Sequence, residues 1–314
     1  MNLELDDDQR EIIGAVQSLL ERHAGPARAI ALAQKAEYDH DLDAALSAAG
    51  FDGAMDPESK QGALEATLIV EAVARAAGVT SLAACALVVP GVTGRALPGP
   101  VALGAGDISA PLRFGAHART LLWLDGRTGD EARLVSLEAG DAVPVPSNFG
   151  YPLGRVSKQV VARGESLGPG SGARLRNWWR LAIAAEAVGT MSAALDQTVA
   201  YLKERRQFGR AIASFQAVQH RLADCAVRVE GSRWLVYEAA YKHAPEEATA
   251  CAAAYALESA RQLFRETHQL SGAIGFTREH DLHVWSMRLQ ALGIELSGAA
   301  GHRRAVAAAR WGTP

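Results

Sequence analysis

Between Asn177 and Ala226 the chain carries two apolar stripes at helical spacing, separated by a short cationic break. Leu181, Ala184, Ala185, Val188, Met191, Leu195, Thr198, Val199 and Leu202 recur at three- and four-residue steps, which predicts a core helix about eight turns long. The break holds Lys203, Arg205, Arg206, Gln207, Phe208, Gly209 and Arg210. A second stripe, Phe215, Val218, Leu222, Cys225 and Val229, starts behind Ser214, which reads as its N-cap. Guanidinium groups therefore stand at a helix end. Arginine forks and free backbone N–H groups in that position suit an anion such as a pyrophosphate, although from spacing alone a solvated cluster at a helix terminus is the commoner reading.

The remaining sequence sets the class of protein. With 49% hydrophobic and 21% charged residues, 314 residues build a globular core without staples. A net charge of −3 gives no global pull toward nucleic acid or an anionic membrane, so neither is expected as a partner. Cys85, Cys225 and Cys251 lie far apart in Ala- and Leu-rich sequence and read as reduced thiols. The acidic start MNLELDDDQR lacks the layout of a signal peptide, and the expected compartment is the cytoplasm.

Along the chain, Ile12, Ile13, Val16, Leu19 and Leu20 share one helical face. HAGPARA reads as a looser segment. Leu42 to Ala49 predicts a short helix stopped by Gly50, and Glu65 to Ala77 another stopped by Gly78. From Leu97 the Pro98–Gly106 cluster marks a change to strand-like runs at 121–124, 132–137 and 155–161. Helical periodicity resumes at Ala173 and predicts a bundle of four or five long helices.

The wording YLKERRQFGRAIASFQAVQHRLAD resembles the signature of the acyl-CoA dehydrogenase family, in which an Arg-x-x-Phe-Gly turn precedes a helix opening with Phe-Gln. THQLSGAIGFTREHDLH is similar to that family's Gln-x-x-Gly-Gly-x-Gly-Phe segment. The resemblance implies a mainly α fold with a small central β domain: an N-terminal helical domain over residues 1–97, a reduced β domain over 98–170 and a C-terminal four-helix-type bundle over 171–314. It implies FAD as cofactor and an acyl-CoA as substrate. Carried over residue by residue, the flavin contacts fall on Arg205, Gln207, Phe208, Gly209, Gln216, Gln269 and Gly272. Ala273 stands where the family has a second Gly, and Ser271 where it has an aromatic residue or His.

The family's chemistry needs one carboxylate as general base over the flavin. Ser297 and Trp179 occupy the two places where the family puts that Glu. Glu295, two residues from Ser297, would turn about 200° away on a helix and reads as a surface or interface charge, and only weakly as a displaced base. Glu186 reads as an ion-pair member, and the pair His280 and His283 falls in the family's Glu-His-Asp-x-His segment, so no metal is expected. The family's Gly-Ser-Asp and Trp-x-Thr flavin loops are missing; Trp123 is followed by Leu-Asp-Gly. These absences make the chain resemble the shortened subunit of actinobacterial steroid-catabolic dehydrogenases built from two unlike chains. On that reading it completes the FAD site of an unlike partner in an α2β2 complex, with an electron-transferring flavoprotein as possible acceptor. The alternatives are a homomeric dehydrogenase with a relocated base, or a flavin-free scaffold or CoA-binding protein.

Overall fold

The computed structural model describes residues 4–56, 58–59, 61–125 and 129–312, so Gly126 of the Trp123 run and the first three residues lie outside it. Four helices lead the chain: α1 (Asp7–His23), α2 (Pro26–Lys35), α3 (His40–Ala48) and α4 (Ala63–Arg75). Asp6 caps α1 through a reciprocal bond pair with Gln9, and the Gln9 amide reaches Glu65 on α4 at 2.8 Å, so a cap also ties two helices together. The segment read as loose forms α2, because Pro26 sits at the first helical position, where its missing N–H costs nothing. After α4 the left-handed residue is Ala77 (φ 59°), not Gly78, which lies packed against Val73 and Leu42. A π-helical turn over Ala84–Val88 runs into α5 (Val89–Thr93).

The central part holds two small sheets. One joins β1 (Val101–Ala105), β3 (Thr120–Leu124), β4 (Ala132–Ser136) and β7 (Glu165–Ser166), with β1 parallel to β3; the other joins β2 (Leu112–Arg113), β6 (Leu153–Val156) and β5 (Ala142–Val145). Strand β1 was hidden in the sequence by its glycine: Gly104 allows the Trp123 ring to lie against the backbone, where a Cβ would come within 2.4 Å of it. The run at 155–161 is not one strand. Ser157 accepts from the Val160 N–H and starts the short helix α6 (Lys158–Ala162), so β6 ends at Val156.

The helical part is built around α7 (Ser171–Glu204), 34 residues or about 51 Å long. Strands β8 (Arg206–Gln207) and β9 (Arg210–Ala211) form a hairpin after it, followed by α8 (Gln216–Tyr241), α9 (Glu246–Ser271), α10 (Leu282–Leu292) and α11 (Gly298–Trp311). The sequence stripe understates the burial of α7, because every residue from Trp178 to Met191 is buried. A helix buried all round belongs in the centre of a core, even with Arg180 and Glu186 in its buried stretch. Gly189 makes the closest approach, since a Cβ there would lie 2.1 Å from the Glu71 carbonyl oxygen of α4. Glu71 in turn accepts from Arg233 (2.9 Å) and Tyr237 (2.8 Å) on α8, which fastens the N-terminal helices to the bundle. The fold is mainly helical with small sheets. Cys85, Cys225 and Cys251 are unpaired thiols. No helix among the described residues is long and apolar enough to cross a membrane.

Candidate functional site

The cationic break folds as a two-residue hairpin. Arg206 pairs with Ala211 and Gln207 with Arg210, while Phe208 (φ 53°) and Gly209 (φ 80°) occupy the turn, both left-handed as a tight hairpin of this twist requires. Arg205 ends α7, and its N–H still bonds the Tyr201 carbonyl at 2.8 Å. From Arg205 to Arg210 every residue is exposed, Phe208 at 88%. Behind it, Arg210 lies 3.9 Å over the Phe215 ring, which also meets Phe208 edge-on. Ser214 is not the cap of α8. It donates to the Ala211 carbonyl within a 3₁₀ turn, and Phe215 precedes the helix without a side-chain cap. The Val218 and Gln219 N–H groups already donate to the Phe215 carbonyl, both at 3.0 Å, which leaves the first two amides of α8, those of exposed Gln216 and Ala217, to meet a ligand.

The second motif closes α9. Gln269 is exposed on the last turn, and Gly272 leaves the helix at φ 67° with open space where a Cβ would stand. His268 is buried between the rings of Phe264 (4.3 Å) and Phe276 (4.9 Å), and burial keeps its pKa below the usual imidazole range. Tyr201, one turn before Arg205, packs on His280 at 5.1 Å. That contact brings the second motif's loop to the same end of α7 as the hairpin. These residues fit a dinucleotide: exposed guanidinium groups, free helix-start amides and a bare glycine are the donor set a pyrophosphate takes.

Around Glu295 and Ser297 the structure differs from the expectation. Helix α10 ends at Leu292, and the chain turns through Glu295–Ser297 with Leu296 (φ 46°) and Ser297 (φ 71°) both left-handed. Helical arithmetic therefore does not apply across Glu295 and Ser297. Instead of lying on a surface or interface, Glu295 points into the core: its Oε1 accepts from Arg113 Nε at 2.5 Å and its Oε2 from the Trp179 indole at 2.6 Å. Arg113 also forks onto Glu186, with both bonds at 2.8 Å. Glu186 is thus the ion-pair member its setting implied. The Tyr151 ring lies between two cations, Arg113 at 5.0 Å and the buried Arg288 at 4.8 Å. Arg113 and Arg288 balance Glu186 and Glu295, so the four charges, two of them buried and two part-buried, sum to zero. Burial raises the Glu295 carboxyl above its ordinary pKa, opposed by Arg113. Arg113, Trp179, Glu186 and Glu295 line a cavity of about 20 Å³.

Sequence reasoning missed Arg113, Tyr151 and Arg288. Its one available signal was Glu186, a lone carboxylate between alanines, which demands a buried cation but cannot say which.

Helical layers around small sheets, with a cationic hairpin and a glycine turn at one end of the long helix, define the architecture of an acyl-CoA dehydrogenase. The Tcur3481-Tcur3483 steroid ACAD superposes with a TM-score of 0.79 at 25% identity, covering 96% of each chain. The ChsE4-ChsE5 complex from Mycobacterium tuberculosis gives 0.81 at 22% identity over 100% of each chain, a likeness of fold. The chain belongs to the acyl-CoA dehydrogenase family. It is 32% identical to the acyl-CoA dehydrogenase IpdE2 of Mycolicibacterium smegmatis over 298 residues, 90% of this chain and 92% of the relative, and residues 174–311 match the family model for the acyl-CoA dehydrogenase C-terminal domain. Against the 3-(aryl)acrylate reductase of Clostridium sporogenes it is 35% identical over 135 residues, 41% of this chain but only 33% of that protein's length. Family membership implies FAD.

Proposed function

We propose that this chain is the non-catalytic subunit of an FAD-dependent acyl-CoA dehydrogenase made of two unlike chains, and that it completes the flavin site of its partner. The observation that carries this reading is the closed cleft. Glu295 lies two residues in sequence from Ser297, at the family's base position, yet Arg113 and Trp179 engage both of its oxygens, and the cavity of about 20 Å³ beside it leaves no room for a thioester. A base must be free to take a proton from substrate, and this one is held by two donors. Ser297 has no carboxylate to offer, and Trp179 fills the alternative place with an indole.

The clamp, by contrast, is open outward. Arg205 would neutralise a pyrophosphate, Gln207, Gln216 and Gln269 would satisfy its remaining oxygens, Phe208 and Gly209 would shape the turn, and Gly272 would let backbone approach it. The flavin, when bound, accepts the hydride of α,β-dehydrogenation; what these residues contribute is binding and orientation. Likeness to a steroid ACAD named for two chains supports a steroid-derived acyl-CoA as the substrate class and an unlike partner; an α2β2 assembly and an electron-transferring flavoprotein as acceptor complete the proposal.

Purifying the chain alone and with its unlike partner, then recording flavin absorbance and particle mass, tests the reading. Flavin and turnover are expected only in the mixed complex. A yellow, active homotetramer of this chain alone would overturn it, and a mixed complex without flavin would favour a scaffold.

A further inference from the structure

The turn that ends α9 and leads into α10 keeps four buried polar atoms without a hydrogen-bond partner: Nδ1 and Nε2 of His268, Oγ of Ser271 and Nε2 of His280. Their side chains belong to residues only 7%, 4% and 8% exposed. Unpaired polar atoms in a dry place are costly, so the two imidazoles are held there by ring packing. His268 lies between Phe264 and Phe276, and Phe276 is itself 74% exposed, so on that side one ring separates the imidazole from water. His280 packs on Tyr201, whose carbonyl accepts from the Arg205 N–H at 2.8 Å. Burial disfavours the charged form of both imidazoles; His280 adds to this at His268, and His283 adds to it at His280. The Gly275 backbone beside His268 and the Asp281 carboxylate beside His280 act the other way and do not outweigh burial.

We propose that this turn is an acid-opened latch on the flavin clamp: protonation drives His268 and His280 out of the ring cluster into water, and the turn carrying Gln269 and Gly272 separates from the Tyr201 end of α7. An imidazole in water takes its proton near pH ~6.5, while the buried rings take theirs only at lower pH, so the opened turn holds more protons than the closed one. Falling pH through that window therefore favours opening, and rising pH closes the turn again. The opening is a property of this chain, and its effect on flavin rests on the subunit reading.

Hydrogen exchange on the full chain without flavin or partner, at about pH 7.5 and about pH 5.5 and with rates corrected for the intrinsic pH dependence of exchange, tests it. Protection of residues 268–280 is expected to fall at least about fivefold more than that of residues 178–191, which report global stability. His268→Phe combined with His280→Phe should remove that excess. If the double variant does not fold, the imidazole NMR titrations of the unaltered chain decide, because His268 and His280 should gain their protons together with the loss of protection. No excess in the unaltered chain, an excess that persists in the folded variant, or histidines that titrate without opening would overturn the inference. With no flavin present, such a failure leaves the subunit reading untouched.

Discussion

Arg113 answers two carboxylates that come from distant parts of the sequence, one in the middle of α7 and one in the turn after α10. Removing one member of such a cluster leaves uncompensated charge in a dry place. Arg113→Met is therefore expected to destabilise the fold by about 3–5 kcal/mol, read from the urea midpoint. Glu186→Ala and Glu295→Ala should destabilise in the same sense, so any loss of turnover in a complex must be judged on folded protein. Ser297→Ala removes no bond among those described and should leave both stability and the turnover of an assembled complex unchanged; a loss of several orders of magnitude would instead assign it a chemical role. Arg205 differs in kind. Its side chain is exposed and serves nothing internal, so Arg205→Ala should keep the chain's Tm while flavin retention in the complex, followed by absorbance after gel filtration, weakens roughly ten- to hundredfold, the worth of a charged hydrogen bond.

At the scale of elements, helix α11 is docked through a buried histidine. His302 is 1% exposed, and burial, aided by the positive charge of Arg180, depresses its pKa to about 4. The unfolded chain binds this proton near the ordinary imidazole value of ~6.5. Between those two values the unfolded state holds more protons, so stability falls as pH drops from 6.5 toward 4 and is fully present above 6.5. The expected loss is on the order of 3 kcal/mol, and His302→Leu should flatten that part of the urea-midpoint profile. Elements with strong periodicity were legible in the sequence: α7, α8 and the strands at Leu121 and Ala132 fall where their apolar spacing puts them. Elements whose identity rests on one residue were not. Pro26 turned an apparent loop into α2, Ser157 cut a strand short to start α6, and Gly104 disguised β1 as a boundary. The hairpin motif was readable because its chemistry is local. The cleft was not, because Arg113, Trp179 and Glu295 meet only through tertiary packing and a left-handed turn at Leu296 that no spacing rule encodes.

For the whole molecule, the N-terminal helices, the sheets and the bundle meet on α7, and the hairpin hangs from its C-terminal end. Backbone amides exchange with solvent only when their hydrogen bonds open, and the free energy of that opening follows how deeply the segment is embedded. Residues 178–191 are enclosed on every side, so their amides have no local route to solvent short of unfolding the protein. Deuterium should enter them last, at the rate set by global unfolding, while residues 206–210, exposed and held only by a two-residue hairpin, should label within the first time points. A bound dinucleotide would slow the second group and leave the first unchanged. The long helix and the hairpin at its end would thus span the full range of protection the protein possesses, and the change in labelling at the hairpin would measure cofactor occupancy without any optical signal from the flavin.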